Sequence, residues 1–430
     1  MWCTIPESGK KRVVIAGAGF AGLKLASKLN GGEFQVVLLD KNNYHQFQPL
    51  FYQVATAGLE PSAISFPLRK VFQHSDNTII RIADILHVDT LEQVVDTSLG
   101  KIHFDYLVIA TGTGTNFFGM QRIMDHAIPM KSVSEALGLR NQILQNFEDA
   151  LTCNDAEQLV KLMTIVVVGG GPTGVEISGT LAEMKSYILP KDYPELDFSK
   201  MNIYLIEAGT KLLSGMTNKS SEKATAYLQK LGVRVRRNAQ VSDYDGEQVT
   251  IQDGTIIKAG TLVWAAGIIG GQIPGLPEEI YTKGNRIKVD RSNRVLGFDK
   301  LFALGDIAWM QEPGYEYGHP QVAQPAIQQA RLLAKNLRKI EKKQPLDNFT
   351  YFDKGSMATI GRNLAVVDLP FISFHGFIAW LTWMFVHLMA IVGVKNRMLI
   401  FINWFWNYVT YDQSLRLIIK PLQKNPEKNT

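Results

Sequence analysis

Residues 11–40 are KRVVIAGAGFAGLKLASKLNGGEFQVVLLD, and this stretch decides the fold of the chain. Its pattern predicts an apolar strand at Val13–Ala16, a glycine-rich turn, a helix at about Ala21–Leu29 and a second apolar strand at Val36–Leu39. An acid, Asp40, closes the second strand. A strand, glycine turn, helix, strand and acid within about 30 residues are typical of a dinucleotide-binding α/β domain.

Each glycine of the turn has a physical task. Gly17 permits the tight turn, Gly19 lets a pyrophosphate approach the backbone, and Gly22 lets the helix pack closely on the strand. The start of the helix presents unpaired N–H groups and a positive dipole end to the phosphates. Asp40 can accept hydrogen bonds from ribose hydroxyls, so the stretch is predicted to bind a dinucleotide.

The same landmarks recur later in the chain. Residues 164–174 are TIVVVGGGPTG, and a strand ending in an acid follows at 202–207. The segment DYLVIATG at 105–112 is likewise echoed by TLVWAAG at 261–267. The repeated positions are the glycines Gly169, Gly171 and Gly174 and the acid Glu207. Two landmarks repeated at nearly equal spacing predict an α/β fold with two Rossmann-like domains.

A later strand indicates which of the two sites holds a flavin. Residues 300–309 are KLFALGDIAW, a strand that leads into Gly305 and Asp306 and has no counterpart within the second repeat. We expect this strand to return the chain to the first domain, where Asp306 could hold the ribityl or phosphate part of FAD. The first site is therefore predicted to bind FAD and the second a nicotinamide dinucleotide.

The residues after the second acid bear on the choice of nicotinamide cofactor. Glu207 is followed by Ala208 and Gly209 and not by an arginine that would pair with a 2′-phosphate. This pattern favours NADH over NADPH, although Lys211 lies close enough to weaken the inference.

Composition excludes several classes of function. The chain has 430 residues, a length that suggests about three domains, and its net charge of +5 carries no nucleic-acid signature. The two cysteines, Cys3 and Cys153, are far apart, which indicates a reducing compartment and excludes a redox-active C-x-x-C pair or a thiolate metal site. His45 and His319 are more typical of surface or core histidines than of catalytic ones, and no metal site is expected.

Three side chains are candidates for chemistry near the flavin. Gln324 and Gln328 stand four apart at the start of a predicted helix at about Pro325–Ile340, so they share one face. Their amides could hydrogen-bond the carbonyl groups of a substrate without adding charge. Glu176 is predicted on the first turn of the helix that follows the second glycine turn, where the helix dipole stabilises a carboxylate.

The C-terminal part is apolar and aromatic. Residues 371–393 contain no Asp, Glu, Lys or Arg, and this segment is long enough for a membrane span. It is interrupted, however, by Ser373, His375, Gly376, Thr382 and His387. In the next predicted helix, polar residues recur at helical spacing as one narrow solvated stripe, with apolar residues on the other faces. The stripe consists of Asn396, Asn403, Asn407, Thr410 and Ser414. The tryptophans of this part are Trp380, Trp383, Trp404 and Trp406. Tryptophan prefers the headgroup level, and Arg397, Arg416 and Lys420 could pair with anionic lipid.

Several of these stretches resemble one family closely. They are the first fingerprint with Asp40, NYHQFQPLFYQVATAGL at 43–59, ATG at 110–112, GGGPTGVE at 169–176 and AQPAIQ at 323–328. Together with the aromatic C-terminus, they make the chain similar to type II NADH:quinone oxidoreductases from about Lys11 to Lys420. The resemblance implies a respiratory, non-pumping enzyme with non-covalent FAD that takes a hydride from NADH and reduces a membrane quinone.

The resemblance also implies where each group binds. Residues 1–130 and 286–345 would form the FAD-binding domain, 131–285 the NADH-binding domain and 346–430 a membrane-anchoring region. The expected FAD-binding residues are Gly17, Gly19, Phe20, Ala21, Gly22, Asp40, Lys41, Thr111, Gly112, Gly305, Asp306, Ala323 and Gln324. The expected NADH-binding residues are Gly169, Gly171, Pro172, Thr173, Gly174, Glu176, Glu207, Ala266 and Gly267. Gln324 and Gln328 would contact the quinone, and Glu176 would orient substrate or pass protons.

The resemblance favours a monotopic protein on the cytoplasmic face of the cell membrane, anchored by amphipathic helices, and a homodimer. A dimer interface or a true span are the alternatives for the C-terminal helices. For the function, the alternatives are a soluble flavin reductase serving an iron–sulfur protein, a slow signalling flavoprotein, and a sulfide:quinone reductase. The last would need cysteines near the flavin, and only Cys3 and Cys153 are candidates.

Overall fold

The computed structural model of the protein describes residues 1–410 and 415–419. Its contacts divide the chain into two compact units, each built from three segments. Unit 1 contains residues 1–46, 65–114 and 268–354, and unit 2 contains residues 47–64, 115–267 and 355–430. This division is made by contacts alone, and the functional domains expected from the sequence stay a prediction.

Strands make up both central sheets and several small antiparallel sheets. In chain order the strands are β1 (Arg12–Ala16), β2 (Gln35–Asp40), β3 (Tyr44–Gln46), β4 (Ser65–Pro67), β5 (Thr78–Ile82), β6 (Ile85–Asp89), β7 (Val94–Thr97), β8 (Gly100–His103), β9 (Tyr106–Ile109), β10 (Thr113–Thr115), β11 (Ile128–Pro129), β12 (Thr164–Val168), β13 (Asn202–Ile206), β14 (Arg234–Arg236), β15 (Val241–Tyr244), β16 (Gln248–Ile251), β17 (Ile256–Lys258), β18 (Thr261–Trp264), β19 (Ile268–Gly270), β20 (Ile287–Val289), β21 (Leu301–Ala303), β22 (Ala308–Met310), β23 (Ser356–Gly361), β24 (Leu364–Leu369) and β25 (Ile372–His375).

The helices pack on these sheets or follow them at the C-terminus. They are α1 (Phe20–Leu29), α2 (Phe51–Ala55), α3 (Leu68–Val71), α4 (Gln121–His126), α5 (Val133–Leu151), α6 (Ala156–Leu162), α7 (Pro172–Glu183), α8 (Leu189–Asp192), α9 (Asn218–Lys230), α10 (Ala323–Glu341), α11 (Phe377–Ala390) and α12 (Val394–Thr410). A π-helical turn at Met184–Ile188 continues α7.

Unit 1 is organised around a five-stranded parallel sheet in the order β21-β9-β1-β2-β5. Strand β1 is apolar, and Val13 to Ala16 are fully buried, as expected for a parallel sheet that is covered on both faces. Strand β21 pairs with β9, so the strand before Gly305 joins the first sheet as the sequence predicted. Helices α1 and α10 pack against each other.

Unit 2 repeats this arrangement. Its parallel sheet has the order β11-β18-β12-β13-β14, in which β18-β12-β13-β14 corresponds to β9-β1-β2-β5 of unit 1. A three-stranded antiparallel sheet, β15-β16-β17, precedes β18 in the chain, just as β6-β7-β8 precedes β9. The internal repeat read from the sequence is therefore confirmed as a repeat of topology.

The last part of unit 2 is an antiparallel sheet, β23-β24-β25, followed by α11 and α12. Helix α7 packs against β23 at Gly179, where an added Cβ would lie only 1.6 Å from Ile360 O. Only glycine allows this close approach, and it holds the start of the C-terminal region on the helix that follows the second glycine turn.

Candidate functional site

The two glycine turns have the same backbone geometry. Gly17 has φ +105°, and a Cβ there would lie 2.4 Å from Ala110 O. Gly169 has φ +110°, and a Cβ there would lie 2.6 Å from Ala265 O. Both positions combine a left-handed φ with a crowded neighbour, so only glycine fits. Each turn thus packs against the end of the neighbouring strand of its own sheet.

The remaining glycines of each turn have different surroundings. A Cβ on Gly22 would lie 1.8 Å from the carbonyl oxygen of Gly17, and a Cβ on Gly174 would lie 1.8 Å from that of Gly169. Only glycine therefore lets the first turn of each helix pack this closely on the glycine turn before it. At Gly19 and Gly171 the same construction meets no atom within 4 Å among the described residues. The backbone N–H groups of α1 and α7 therefore begin beside open space, as a phosphate group requires.

Each strand-end acid braces its own turn. Ala18 N–H donates to Asp40 Oδ2 and Asn42 N–H donates to Asp40 Oδ1, both at 2.7 Å. In unit 2, Gly170 N–H donates to Glu207 Oε2 at 2.5 Å and Gly209 N–H to Glu207 Oε1 at 2.5 Å. Burial raises the pKa of Asp40, and its hydrogen bonds from Ala18 and Asn42 oppose that shift. Both acids therefore position the backbone of their glycine turns.

The residues predicted to bind FAD come together in unit 1. Thr111 and Gly112 follow β9 beside Gly17, since a Cβ on Gly17 would lie 3.0 Å from Thr111 Cα. A Cβ on Gly305 would lie 3.4 Å from Ala21 Cβ and 3.2 Å from Ala326 Cβ. The turn after β21 thus meets the starts of both α1 and α10.

A buried glutamine that the sequence analysis missed holds this turn. Gly305 N–H donates to Gln329 Oε1 at 2.8 Å, and Gln329 is almost fully buried. Its neighbour Gln328 stands four residues after Gln324 and was selected for that spacing. Nothing in the sequence marked Gln329 as a residue with a structural role.

The residues predicted to bind NADH cluster in unit 2. Pro172 is at the start of α7, after Gly171 at the N-cap, where the missing N–H of proline costs no hydrogen bond. A Cβ on Gly169 would lie 2.9 Å from Ala266 N. Gly267 has φ +74°, and a Cβ there would meet the ring of Phe118 at 2.5 Å. Thr173 lies in the first turn of α7 and is half-buried.

Glu176 is buried in unit 2. Thr359 N–H, from β23, lies 3.5 Å from Glu176 Oε1. Burial raises the pKa of Glu176 to about 8, opposed by smaller contributions from Thr359 and the Trp383 indole. The indole N–H of Trp383 is buried and has no hydrogen-bond partner among the described residues. A carboxyl that titrates near neutral pH is suited to proton transfer.

The two predicted quinone residues have backbone partners. Gln328 Nε2 donates to Phe352 O at 2.9 Å, and Phe352 N–H donates to Gln328 Oε1 at 3.1 Å. Lys354 N–H donates to Gln324 Oε1 at 3.1 Å. Both glutamines lie on α10, which begins at Ala323 as the sequence predicted within two residues. The chain segment at 352–354 therefore orients both side chains.

The two histidines without a predicted catalytic role are buried. His45 Nδ1 donates to Ala18 O at 2.8 Å, which adds a further hold on the first turn. His319 Nε2 lies 2.7 Å from Glu312 Oε1, and Arg291 pairs with the other oxygen of Glu312 at 2.7 Å. Burial lowers the pKa of both histidines. Both are core residues that support the fold.

The prediction that the polar stripe of α12 faces solvent is wrong. Asn396 Nδ2 donates to Ser62 O and Ala63 O at 3.3 and 3.2 Å, and Asn407 Nδ2 donates to Gly58 O at 3.3 Å. The stripe faces the protein because loop carbonyl groups at 58–63 need donors. Ser414 and Lys420 of the prediction lie outside the described residues.

The opposite faces of α11 and α12 are apolar and exposed. The side chains in this set are 42% to 71% exposed: Phe377, Ile378, Leu381, Phe385, Val386, Met389, Val394, Met398, Leu399, Phe401, Ile402, Phe405, Trp406 and Val409. Two predicted interface tryptophans are instead buried, Trp383 at 1% and Trp404 at 8% exposure. Trp404 Nε1 donates to Gln53 Oε1 at 2.7 Å. We call the fourteen exposed side chains named above, on α11 and α12, the apolar face.

Residues 371–393 form no span. Among residues 1–410 and 415–419, no helix is both long and apolar enough to cross a membrane. The segment starts in β25 and continues as α11, which has 14 residues. At ~1.5 Å per residue this helix is shorter than the ~30 Å of a bilayer core.

A cavity of about 140 Å³ lies behind the apolar face in unit 2. Its walls come from α2, α7 and its π-turn, β23 with the turn after it, α11 and α12. Glu183, Arg362, Tyr52 and Asn407 supply polar groups, and three tryptophans supply apolar walls. The sequence analysis missed Glu183 and Arg362, because nothing in the pattern marked a second acid on α7 as different from an ordinary surface residue.

Comparisons with known proteins agree with this geometry. A family model described as pyridine nucleotide-disulphide oxidoreductase matches residues 11–330, and the NDH2 C-terminal domain model matches residues 354–410. The type II NADH:quinone oxidoreductase Ndh of Mycobacterium tuberculosis is 36% identical over 415 residues, covering 92% of this chain and 87% of the relative. NdhA of the same organism is 33% identical over 416 residues, with 92% and 87% coverage.

A solved structure has the same fold. NDH2 from Plasmodium falciparum, in complex with NADH, superposes with a TM-score of 0.86 at 23% identity, covering 96% of this chain and 100% of that one. The resemblance seen in the sequence is thus confirmed by relatives that match over most of their length. These matches show that this chain belongs to the type II NADH:quinone oxidoreductases.

Proposed function

We propose that this chain oxidises NADH and reduces a membrane quinone through bound FAD, without pumping protons, on the cytoplasmic surface of the cell membrane. NADH:quinone oxidoreduction is the activity of the family to which the chain belongs. The observation that carries the proposal is the combination of two braced dinucleotide turns with an apolar face on α11 and α12. An exposed apolar face of this size is typical of a membrane or protein contact and is unusual for a soluble monomer.

The first turn suits FAD. Open space at Gly19 leaves room for a pyrophosphate, and Asp40 lies beside it to meet a ribose. Gly305 and Asp306 follow β21 next to α1, so Asp306 can contact the middle of the cofactor. Bound FAD would accept the hydride and deliver two electrons to the quinone. The remaining predicted FAD-binding residues are Phe20, Lys41, Thr111, Gly112, Ala323 and Gln324.

The second turn suits NADH. Open space at Gly171 and the N-terminus of α7 form the phosphate site, and Pro172 and Thr173 shape its entrance. Both oxygens of Glu207 accept N–H groups at this turn, so its charge is held where a 2′-phosphate would lie. Lys211 is engaged with Met216 O and Asn218 Oδ1, which supports NADH over NADPH.

For the quinone, Gln324 and Gln328 are the proposed ligands. Their backbone partners at 352–354 fix the amide orientation, and an amide is a group that can hydrogen-bond a quinone carbonyl without adding charge. Glu176 is the proposed proton-exchanging group near the nicotinamide site. Proton pumping is not part of the proposal, as expected for a type II NADH:quinone oxidoreductase.

The apolar face is the proposed membrane contact. Fourteen exposed apolar side chains on two consecutive helices form a patch that water disfavours, while the polar stripe of α12 is satisfied inside the protein. The helices would lie in the headgroup region with the apolar face toward the acyl chains. A homodimer and the domain division predicted from the sequence stay part of the proposal.

Anaerobic stopped-flow spectroscopy of the purified yellow protein tests the proposal. NADH should bleach the flavin absorbance, and a quinone analogue should restore it. Gln324→Ala with Gln328→Ala should slow only the second phase, since these residues are assigned to the quinone. A protein that stays colourless after reconstitution with FAD, or stays oxidised in NADH, contradicts the proposal.

A further inference from the structure

Two carboxylates share one face of α7. Glu176 and Glu183 are two helical turns apart, which places their side chains on the same side at ~10 Å spacing along the axis. The same strand and the turn after it hold both carboxylates, because Thr359 N–H faces Glu176 and Arg362 N–H donates to Glu183. The two acids therefore form a row along α7, on the side of the helix that packs against β23.

The cavity behind the apolar face connects the surroundings of the two acids. Glu183 is in its lining, and so are Thr359 and Trp383, the two neighbours of Glu176. A cavity of about 140 Å³ has room for several waters. Its polar lining includes Gln53, Thr180, Glu183, Thr359, Arg362 and Asn407, whose side chains can bind such waters.

Tyr52 from α2 lies beside this row. Burial raises the pKa of the Tyr52 phenol, and the charges of Glu176 and then Glu183 raise it further, so both acids are within electrostatic reach. Gln53 Nε2 donates to Tyr52 Oη at 2.8 Å, while Trp404 Nε1 donates to Gln53 Oε1 at 2.7 Å. Trp404 of α12 thus holds the Tyr52 phenol in place through Gln53. Because its pKa is raised, the phenol stays protonated and can donate a hydrogen bond.

We propose that Glu183 is a proton-relay residue that resupplies Glu176 from water, through Tyr52 and cavity waters, during quinone reduction. The inference rests on the proposed function. A hydride carries two electrons and one proton, and a quinol contains two added protons, so one proton per turnover comes from water. In the relay, the Glu183 O–H bond breaks, an O–H bond forms on Glu176, and Glu183 regains a proton from bulk water.

The electrostatics favour this direction. Burial raises the pKa of Glu183 to about 7 and that of Glu176 to about 8, so a proton moves from the weaker to the stronger base. The backbone N–H and the charge of Arg362 oppose the shift at Glu183. The other titratable groups around the cavity are Tyr52, Tyr187 and Tyr408, with His387 stacked on Trp383. Burial lowers the pKa of His387 to about 4, so it is neutral at pH 7.

The variant Glu183→Gln tests the relay, because glutamine keeps an oxygen to accept the Arg362 N–H. Stopped-flow traces between pH 5.5 and 9 would follow bleaching by NADH and reoxidation by a water-soluble quinone analogue. We expect bleaching to be unchanged, reoxidation to be about tenfold slower, and its pH profile to lose the step near pH 7. Glu222→Gln, an exposed acid on α9, is the matched control.

Tyr52→Phe provides a second, independent variant, since it removes only one oxygen and should slow the same phase. An unchanged reoxidation rate, equal slowing of both phases, or slowing with the wild-type pH profile would overturn the relay. Failure of the wild-type protein to be bleached by NADH or reoxidised by quinone would instead overturn the proposed function. If Glu183→Gln does not bind flavin, Tyr52→Phe alone decides between relay and structural support.

Discussion

The two glycine turns are close copies, but the helices after them differ. At Gly17 and Gly169 the left-handed φ and the nearby carbonyl oxygen are nearly identical, and each turn is braced by its own acid. Helix α1 contains no acid, whereas α7 carries Glu176 and Glu183 along one face. Backbone sterics leave no alternative to glycine in the turn, while the helix face can change freely. The two copies therefore share the geometry of the turn, and only the second carries acids on the helix that follows it.

The largest expected effect separates the two turns by ligand. Gly17→Ala should abolish flavin binding, because the new Cβ would overlap Ala110 O. Gly169→Ala should leave a yellow protein whose kcat/KM for NADH falls at least a hundredfold, about 3 kcal/mol. Flavin absorbance and steady-state kinetics measure the two effects. Gly138→Ala, in open space on α5, is the control and should be neutral. Equal flavin content in both turn variants would end the assignment of FAD to the first turn.

The next effect concerns the buried acid that only the second copy carries. The raised pKa of Glu176, about 8 against 4.5, means that the protonated carboxyl favours the folded state. This contribution is complete below pH 4.5 and is lost as pH rises through 8. Glu176→Gln should therefore be more stable than wild type above pH 8, by up to about 5 kcal/mol at 1.36 kcal/mol per pKa unit.

Thermal denaturation between pH 4 and pH 9 measures this difference. The curves of wild type and Glu176→Gln should converge at the acid end. The variant keeps a residual pH slope from Glu183, whose pKa is shifted in the same direction. Parallel curves at all pH values would mean that Glu176 is not a buried titrating group.

A smaller effect tests the C-terminal helices, which belong to unit 2 together with the second turn. Ile402→Asp combined with Phe405→Asp should lower binding to phospholipid vesicles more than tenfold, because each exposed apolar side chain contributes about 1.5 to 3 kcal/mol when buried. Vesicle sedimentation measures the binding. Activity with a water-soluble quinone should not change. Leu91→Asp, at a more exposed position of unit 1, should bind as the wild type does. Unaltered sedimentation of the double variant argues against the membrane contact.

The smallest effect sharpens the difference between the two acids. Glu207→Gln should shift the ratio of kcat/KM for NADH over NADPH about tenfold toward NADPH, close to 1.4 kcal/mol, because it removes a charge opposed to a 2′-phosphate. Asp40 has no such part in nicotinamide choice, so Asp40→Asn should leave the ratio unchanged in whatever flavin-loaded protein is recovered. A ratio that does not move after Glu207→Gln would place the selecting group elsewhere.

Local patterns predicted much of the molecule. The glycine turns, their acids, the start of α10 and the strand before Gly305 were all visible, because a tight turn, a helix N-terminus and a buried strand each require particular residue types. The resemblance in the same stretches led to the family. The direction of the α12 stripe was not predictable, since helical spacing shows that Asn396 and Asn407 share a face but not what that face contacts.

The sequence by itself determined the repeat, the two dinucleotide turns and the apolar character of the C-terminus, because these depend on residue type at short range. Only the tertiary structure decided that α12 turns its polar stripe inward, that Gln329 holds Gly305, and that Glu183 lines one cavity with the neighbours of Glu176. These outcomes depend on burial and on carbonyl groups supplied by distant segments, and no local pattern contains that information.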